Sequence, residues 1–460
     1  MSARCSPQVP LRVFLSNFPT SLAGVSLEPV SCPGDKAKVP GGGPALMRVG
    51  QVLKREIVAV ALVALFALLP GPSYAQEEED PDGFKVFWQD GLRMETNDGR
   101  FQLRLGGRIQ YDWLFWGDDA EVAGVVGGPI LNGTEFRRAR IFVQGYVYER
   151  IEYKMQLDFA GRTTAIKDLY FGIRHPTFGV RVGHMKEPFS IEELTSSKYI
   201  TFIERGLPSV FDSERNSGFL LHGNVGGGNF NYGVGVFRET NVTGVGINPD
   251  GYNFSGRFAG AVVNRNEGRN IIHLGASAVF QNGDGSNRVF RQRPEIHLSP
   301  RFISSGVIPT EGITVIGLEG AVISGAFSAQ AEWTVAPVRS EEAGNPRFSG
   351  WYAYGSYFLT GETRTYSGTV FQRLRPRRNF LENGGLGAFE VAARYSTLDL
   401  TAEEVGKDQD LIKGTRLDNI TLALNWYWNP MTLMKFNLIR ADIDQIGDIW
   451  AFLWRGQLEF

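Results

Sequence analysis

The chain has 460 residues, of which 43% are hydrophobic and 21% are charged, and its formal net charge is −2. A charge balance this close to neutral provides no basic surface, and no nucleic-acid-binding motif is present, so a nucleic-acid partner is not expected. Both cysteines, Cys5 and Cys32, lie close to the N-terminus. The rest of the chain must therefore be stabilised without a disulfide framework.

The first feature in chain order is a secretory signal. Basic residues precede an uninterrupted apolar run from Ile57 to Leu69, and small residues follow at positions 73 and 75. The run is too short to cross a bilayer of about 30 Å as a helix, which is typical of a signal peptide. The pattern predicts a signal peptide over residues 47–75, cleaved after Ala75, and hence export; together with the alternating strand pattern that follows in the chain, it predicts location in the outer membrane of a Gram-negative bacterium.

The residues on either side of this signal are interpreted from its position. A signal peptide must emerge first from the ribosome, so residues 1–46 are predicted to be a mis-assigned extension and Met47 the natural start. Cleavage leaves 40 Lys and Arg against 46 Asp and Glu. Net charge therefore does not favour an anionic ligand, and any such preference must come from where the arginines point. Residues 76–83 are predicted to be an acidic tether and residues 84–460 one β-barrel domain.

From Gly83 onward, segments of about ten residues alternate in polarity and are separated by clusters such as Asn97-Asp98-Gly99. No other stretch approaches the roughly 20 apolar residues of a transmembrane helix. A membrane protein without such helices can span only as a closed barrel. Each strand with its connection takes roughly 20–25 residues, so the length of residues 76–460 corresponds to about 16 strands. We therefore predict an all-β fold, an antiparallel barrel of 16 transmembrane strands.

The last strand shows the alternation clearly. One face carries apolar or aromatic residues at every even position from Trp450 to Phe460, and the other face includes Arg455, Gln457 and Glu459. This is expected where lipid lies outside and water inside. The alternative is an edge strand of a soluble sandwich, but such strands seldom run this long with all aromatics on one face.

The same alternation places arginines inside the barrel. Arg104 and Arg108 oppose the apolar face of a strand that begins at Phe101, and an arginine facing lipid would cost a few kcal/mol at mid-depth. The next strand turns Arg138 and Arg140 inward by the same rule. Arg137 has the opposite parity, so it must lie beyond the bilayer edge or at a β-bulge.

Two further patterns bear on the bore. Residues 186–208 lack the two-residue period, and Ser190 followed by Glu193 forms a capping box, so this stretch is predicted to be partly helical and to lie over the mouth or inside the bore. Glu390 and Arg394 share one strand face, and we interpret them as a pair that braces the wall.

An enzyme is not predicted. The five histidines show no metal-ligand spacing, and neither a metal nor a cofactor is indicated. His297 is interpreted as a wall residue on a polar strand face. Gly226-Gly227-Gly228 is interpreted as a turn, because a phosphate cradle needs a helix to follow it.

At this point the sequence resembles the phosphate-selective porin O and P family over essentially the whole mature chain. The resemblance is carried by the order and spacing of short motifs, namely Leu105-Gly106-Gly107-Arg108-Ile109-Gln110, Phe136-Arg137-Arg138-Ala139-Arg140, Thr195-Ser196-Ser197-Lys198 with Glu204-Arg205, Leu424-Asn425-Trp426-Tyr427 and the terminal Phe460. The resemblance implies a homotrimer of 16-stranded barrels, each narrowed by inward-folded constriction loops and lined by an arginine ladder that leads to a central anion site.

Carried over by position, the resemblance implies a set of pore-lining residues: Arg104, Arg108, Arg137, Arg138, Arg140, Asp168, Ser196, Ser197, Lys198, Arg291 and Arg293. Arg140 stands where the family has a tyrosine. Glu193, Glu152 and Glu295 stand where it has basic residues, and carboxylates in place of cations lower the positive potential that a dianion needs.

The expected function is passive diffusion of small anions, with phosphate or polyphosphate as candidate solutes, through an arginine-lined pore of an outer-membrane porin. The expected partners are therefore small anions and outer-membrane lipid. The alternatives are a weakly selective general porin and a barrel with a structural or adhesive role.

Overall fold

The computed structural model describes residues 83–117, 120–126, 130–247, 251–283, 287–401, 412–413 and 416–460. In this part of the chain, sixteen antiparallel strands form a closed wall. They are β1 (Phe101–Trp116), β2 (Gly133–Val147), β3 (Ile151–Asp158), β4 (Ala165–Arg174), β5 (Phe178–Lys186), β6 (Arg215–Val225), β7 (Phe230–Arg238), β8 (Tyr252–Arg265), β9 (Asn270–Asn282), β10 (Gly312–Ser324), β11 (Phe327–Arg339), β12 (Arg347–Phe358), β13 (Ala388–Asp399), β14 (Arg416–Tyr427), β15 (Thr432–Ile443) and β16 (Gly447–Glu459).

The barrel closes between its first and last strands. The register runs from Ala451 opposite Trp116 to Glu459 opposite Arg108. Beyond it, the Gly107 backbone N–H donates to the Phe460 carbonyl oxygen at 2.7 Å. Closure pairs the backbone groups that a membrane cannot solvate. The predicted antiparallel 16-stranded barrel is confirmed.

Burial follows the predicted two-residue period. In β16 the outward Trp450, Phe452 and Leu458 are 46%, 40% and 45% exposed, whereas the inward Arg455 and Glu459 are buried. The outer face is thus apolar and the inner face polar, as a wall between lipid and water requires.

Two further strands, Phe84–Trp88 and Leu92–Thr96, form a hairpin that extends the sheet beside β1. Gly91 in its turn has φ +130°, and a Cβ atom there would lie 2.6 Å from the Leu105 carbonyl oxygen. The turn therefore requires glycine.

One end of the barrel, the turn end, carries mostly short connections such as residues 175–177, and the other, the loop end, carries longer ones. Three long connections contribute residues to the bore: residues 187–214 (the constriction loop) and 283–311 (the vestibule loop) from the loop end, and residues 359–387 (the turn-end segment).

The connections contain short elements. The helices are Ala120–Val125 and Ile191–Leu194, with 3₁₀ turns at Leu207–Phe211 and Gly226–Gly228. The two-residue strands are Asn287–Arg288, Arg291–Gln292, Ile303–Ser304, Ile308–Pro309, Tyr366–Ser367, Val370–Phe371 and Ile412–Lys413. Ser190 caps the second helix, because its Oγ accepts from the Glu193 N–H at 3.0 Å. The Ser190 half of the predicted capping box is present, whereas the Glu193 side chain turns to Lys186 and Arg205. The predicted glycine turn is present.

The signal peptide over residues 47–75, the extension over residues 1–46 and all of the tether except Gly83 lie outside the described residues. Among the described residues, no helix combines the length and hydropathy needed to cross a membrane.

Candidate functional site

The constriction loop folds into the bore and packs against the wall formed by β13, β14 and β16. Asn425 of β14 donates to the Thr201 carbonyl oxygen at 2.9 Å, and Arg455 of β16 donates to that of Ile203 at 2.5 Å. The Leu207 N–H also donates to Ser396 Oγ of β13 at 2.9 Å. The loop therefore occupies one side of the bore, and the passage that remains runs along the other.

That passage contains a cavity of about 820 Å³, the central chamber. In the part of the chain that the structure describes, its wall residues come from β1 to β8. Fourteen basic side chains line it: Arg104, Arg108, Arg137, Arg138, Arg140, Lys154, Lys167, Arg181, Lys186, Lys198, Arg205, Arg215, Arg257 and Arg293. The carboxylates among the lining residues are Asp168, Glu193 and Glu214. Among the described residues, five more carboxylates, Glu152, Asp158, Glu204, Glu319 and Glu459, lie outside this lining but within ion-pair distance of one of its basic groups, so fourteen cations meet eight carboxylates and the excess charge is positive.

Arg104 and Arg108 face this chamber from β1. The Arg108 Nη1 donates to Ser196 Oγ at 3.1 Å, and its buried Nε has no partner. Arg104 donates through Nε to the Asp90 carbonyl oxygen at 3.1 Å. Within the described residues neither arginine has a carboxylate within ion-pair distance. Arg108 also lies directly opposite Arg140 of β2, a like-charge pairing that disfavours the folded wall.

Arg137 is turned inward by a β-bulge. Gln110 pairs with Arg138 and Tyr111 with Phe136, so Arg137 is the extra residue of β2. A bulge places two successive side chains on one face, and both arginines line the central chamber. Of the two locations that the sequence allowed for Arg137, the bulge is the one found.

A second bulge does the same for β4. Gln156 pairs with Asp168 and Leu157 with Ile166, so Lys167 is the extra residue. Lys167 and Asp168 therefore both line the central chamber. Asp168 was predicted from the sequence and Lys167 was not, although Lys167-Asp168, like Arg137-Arg138, is a pair of successive charged residues within a strand.

Asp168 is held between two cations rather than by the serines of the constriction loop. Its carboxylate lies 2.6 Å from Lys154 Nζ and 2.9 Å from Arg215 Nε. The Ser197 Oγ is buried without a partner. Two cations share this one carboxylate, so the cluster keeps a net positive charge.

Two other predicted residues of the chamber form ion pairs: among the described residues Arg140 is the sole ion-pair partner of Asp158, whereas Lys198 shares Glu459 with Arg373 of the turn-end segment. Arg140 Nε lies 2.6 Å from Asp158, and Lys198 Nζ lies 2.8 Å from Glu459. These pairs add less to the positive potential than the unpaired cations do.

The constriction loop brings Glu204 into the arginine cluster. Arg137 donates to its two carboxylate oxygens at 2.9 Å and 3.1 Å, Arg455 donates at 2.7 Å, and Arg138 Nη2 lies 3.6 Å away. Burial alone would raise the pKa of Glu204, but these arginines outweigh it and hold the pKa well below its usual range. Glu204 is therefore ionised at neutral pH and offsets part of the arginine charge.

Glu193, in the short helix Ile191–Leu194 of the constriction loop, also neutralises nearby cations. It lies 3.0 Å from Lys186 Nζ and 3.1 Å from Arg205 Nε. Burial raises its pKa, but the surrounding cations, chiefly Arg205, Lys186 and Arg215, lower it to about 2. The basic residue that the family resemblance implies at this position would repel both Lys186 and Arg205.

Toward the loop end, a cavity of about 560 Å³, the vestibule, adjoins the central chamber, with which it shares Arg137, Arg205 and Arg293. Its charged lining is balanced: the basic residues are Arg137, Arg205, Arg291, Arg293 and Arg301, and the acidic ones are Glu193, Glu204, Asp212, Glu214 and Glu295. The predicted residue Arg291 lines this cavity. The excess of positive charge lies in the central chamber and not in the vestibule.

Two sequence interpretations are wrong. Arg394 and Glu390 are not partners: Arg394 pairs with Glu295 of the vestibule loop, and Glu390 lies 3.0 Å from Arg364 of the turn-end segment. Both partners come from inserted connections, which strand parity cannot locate.

The second wrong interpretation concerns His297. It lies in the vestibule loop rather than on a strand, and its Nδ1 is 2.8 Å from Glu135.

Glu152, a further departure from the family, accepts from Arg181 at 2.8 Å. Among the described residues, no group of three or more His, Cys, Asp or Glu side chains is arranged to hold a metal ion.

A closed 16-stranded barrel whose polar bore is narrowed by inserted loops is the fold of an outer-membrane porin. The family model described as phosphate-selective porin O and P matches residues 104–446. The chain belongs to this family.

Individual relatives agree with that assignment. The chain is 26% identical over 392 residues to Porin O of Pseudomonas aeruginosa, covering 77% of this chain and 86% of that one. It is 30% identical over 377 residues to an uncharacterised protein of Caulobacter vibrioides, covering 79% and 72%. Among solved structures it is similar in fold to the anion-selective porin from Comamonas acidovorans, with a TM-score of 0.50, 13% identity, and 78% and 99% of the two chains covered.

Proposed function

We propose that this protein is an anion-selective porin that lets small anions diffuse passively across the outer membrane. The observation that carries the proposal is the excess of basic side chains at the central chamber, where among the described residues fourteen of them meet eight carboxylates when ion-paired groups behind the lining are included. Such a lining lowers the free energy of an anion and raises that of a cation in a passage with a poorly polarisable wall.

The arginines act by replacing water. An anion that enters a narrow passage loses part of its hydration shell, and planar guanidinium groups offer paired hydrogen bonds to oxyanion oxygens. Arg293 of the vestibule loop, Arg108 of β1 and Arg104 near the turn end supply successive positions that lack a carboxylate partner among the described residues. Several weak positions allow faster passage than one strong site.

Phosphate-like oxyanions are the candidate solutes. Arg108 and Ser196 place a guanidinium and a hydroxyl 3.1 Å apart on one side of the chamber. Asp168 can accept a hydrogen bond from a protonated oxyanion. The membership of the chain in a family described as phosphate-selective supports the same choice.

A weakly selective porin is the second candidate. The balanced charges of the vestibule favour it, because an anion gains no long-range attraction there. The two candidates differ in the ratio of anion to cation permeability and not in the fold.

Export and assembly are part of the proposal. We expect the mature chain to begin after Ala75 and to assemble as a homotrimer in the outer membrane. N-terminal sequencing and native mass spectrometry of the detergent-purified protein test these two points; a mature start upstream of Met47 or a monomer contradicts them.

The function is tested by single-channel recording in a planar bilayer with a KCl gradient. An anion-selective pore gives a reversal potential with the sign expected of chloride, and the opposite sign refutes the proposal. Phosphate is then added to a chloride solution, where a bound oxyanion should block the current of the smaller ion. A near-zero reversal potential without block supports the second candidate.

A further inference from the structure

Lys167 differs from the other lysines of the central chamber. Lys154 lies 2.6 Å from Asp168, Lys186 lies 3.0 Å from Glu193, and Lys198 lies 2.8 Å from Glu459. Lys167 has neither an ion pair nor a side-chain hydrogen bond with any described residue. Its ammonium group is therefore available to a ligand.

The position of Lys167 results from the backbone. It is the extra residue of the β4 bulge, so its side chain enters the bore beside Asp168. A regular strand would turn one of these two residues toward lipid, where a charge costs a few kcal/mol at mid-depth. Bulges often occur next to functional sites, where they change the direction of a side chain. This bulge therefore suggests that the inward position of Lys167 serves the function of the pore.

The surroundings of Lys167 favour an anion. Arg140 and Arg215 are the cations close enough to repel it. Of the two carboxylates that attract it, Glu214 lies beyond ion-pair distance and Asp158 is bonded to Arg140. A dianion placed between these cations would relieve their mutual repulsion. An ammonium group on a flexible stem carries three donors and can follow an ion as it moves.

Lys167 also stands at a junction. A side cavity of about 290 Å³ on the loop side of the bore is lined by Lys167, Glu214 and Arg215, and all three also line the central chamber. Lys167 therefore borders both cavities.

We propose that Lys167 is a specificity-determining residue of the pore, which binds an inorganic oxyanion such as phosphate between Arg140 and Arg215. This inference rests on the proposed anion-porin function and names a residue of that site. The chloride current is carried by many cations, whereas occupancy by the oxyanion depends on this one.

The test is the block of single-channel chloride current by inorganic phosphate in wild type, Lys167→Gln, Lys167→Arg and the matched control Lys154→Gln. Both glutamine variants remove one positive charge from the same chamber, but Lys154 is already paired. We expect Lys167→Gln to raise the half-blocking phosphate concentration about tenfold or more, as for the loss of one charge-assisted hydrogen bond, and Lys154→Gln to raise it about threefold at most. Lys167→Arg should restore block.

The outcomes separate the two claims. Equal shifts in the two glutamine variants, or no shift in Lys167→Gln, overturn the role of Lys167 while the reversal potential still supports an anion porin. A wild-type pore that is anion-selective but unaffected by phosphate also overturns it. A cation-selective wild type refutes the proposed function itself. Heat-modifiable migration in gels confirms that each variant forms a barrel.

Discussion

Replacing Glu204 by glutamine tests whether the constriction loop limits the selectivity of the pore. Glu204 accepts from Arg137 at 2.9 Å and from Arg455 at 2.7 Å, and Arg138 lies 3.6 Å away. Glutamine keeps the shape and one acceptor oxygen but removes the charge. Three arginines then lose a shared counter-ion, and the passage gains one net positive charge.

The size of the effect follows from distance. An anion on the open side of Arg137 would lie about 6 Å from the Glu204 carboxylate, and at an effective dielectric constant of about 20 their repulsion is about 3 kcal/mol. Screening at about 0.1 M salt, with a Debye length of about 10 Å, reduces this to about 1.5 kcal/mol. Removing the charge should therefore raise the chloride permeability about tenfold. Because potassium loses a comparable attraction, the ratio of chloride to potassium permeability should rise by about tenfold or more.

The assay is the reversal potential in a KCl gradient, with Asp448→Asn as the control. Asp448 is likewise bonded to an arginine, Arg440, at 2.9 Å, but both groups are partly exposed on the outer face of the barrel. The control should leave selectivity unchanged. A folded Glu204→Gln barrel with unaltered or reduced anion preference would refute the assignment of Glu204 to the permeation path.

Three further changes should affect the barrel itself. Arg394→Gln removes the partner of the buried Glu295, so it should lower the free energy of unfolding by about 3–5 kcal/mol and with it the thermal midpoint. The reversal potential should keep the sign expected of chloride. An unchanged midpoint would show that the pair contributes nothing to stability. Gly183→Ala should reduce refolding yield, because Gly183 has φ +135° and a Cβ atom would lie 2.3 Å from the Leu169 carbonyl oxygen; full yield contradicts this. The pKa of Glu193 is lowered to about 2, so its ionised form stabilises the barrel fully above the unfolded pKa of about 4.3, and this stabilisation is lost as pH falls toward about 2. In Glu193→Gln the thermal midpoint should therefore depend less steeply on pH between about pH 4 and 2 than in wild type. Parallel curves of midpoint against pH would exclude this contribution.

The strand positions that sequence analysis located correctly are those that obey the two-residue period. Arg104 and Arg108 followed from parity alone, because the apolar face of β1 leaves only one place for an arginine. Arg137 followed from the failure of parity, and the same reasoning applied to Lys167 would have found the second bulge. The bulge itself is a local feature, and two adjacent charged residues in a strand are its signature.

The partners of the charged residues did not follow from the sequence. Arg394 and Glu390 share a strand face, yet each is bonded to a connection that enters the bore from elsewhere. Glu193 and Glu295 stand where the family resemblance implies basic residues, and their role could be assigned only from the contacts in the structure. Each carboxylate neutralises cations that a basic residue would repel.

The amino-acid sequence by itself determined the barrel, the number of its strands and the side of the wall on which each regular strand residue lies, because alternating polarity between lipid and water is a local property of a strand. Only the tertiary structure decided where the passage runs, which cations remain without a carboxylate and where positive charge is concentrated. These properties depend on how the inserted connections pack against strands far away in the chain, and no periodicity encodes the distances between them.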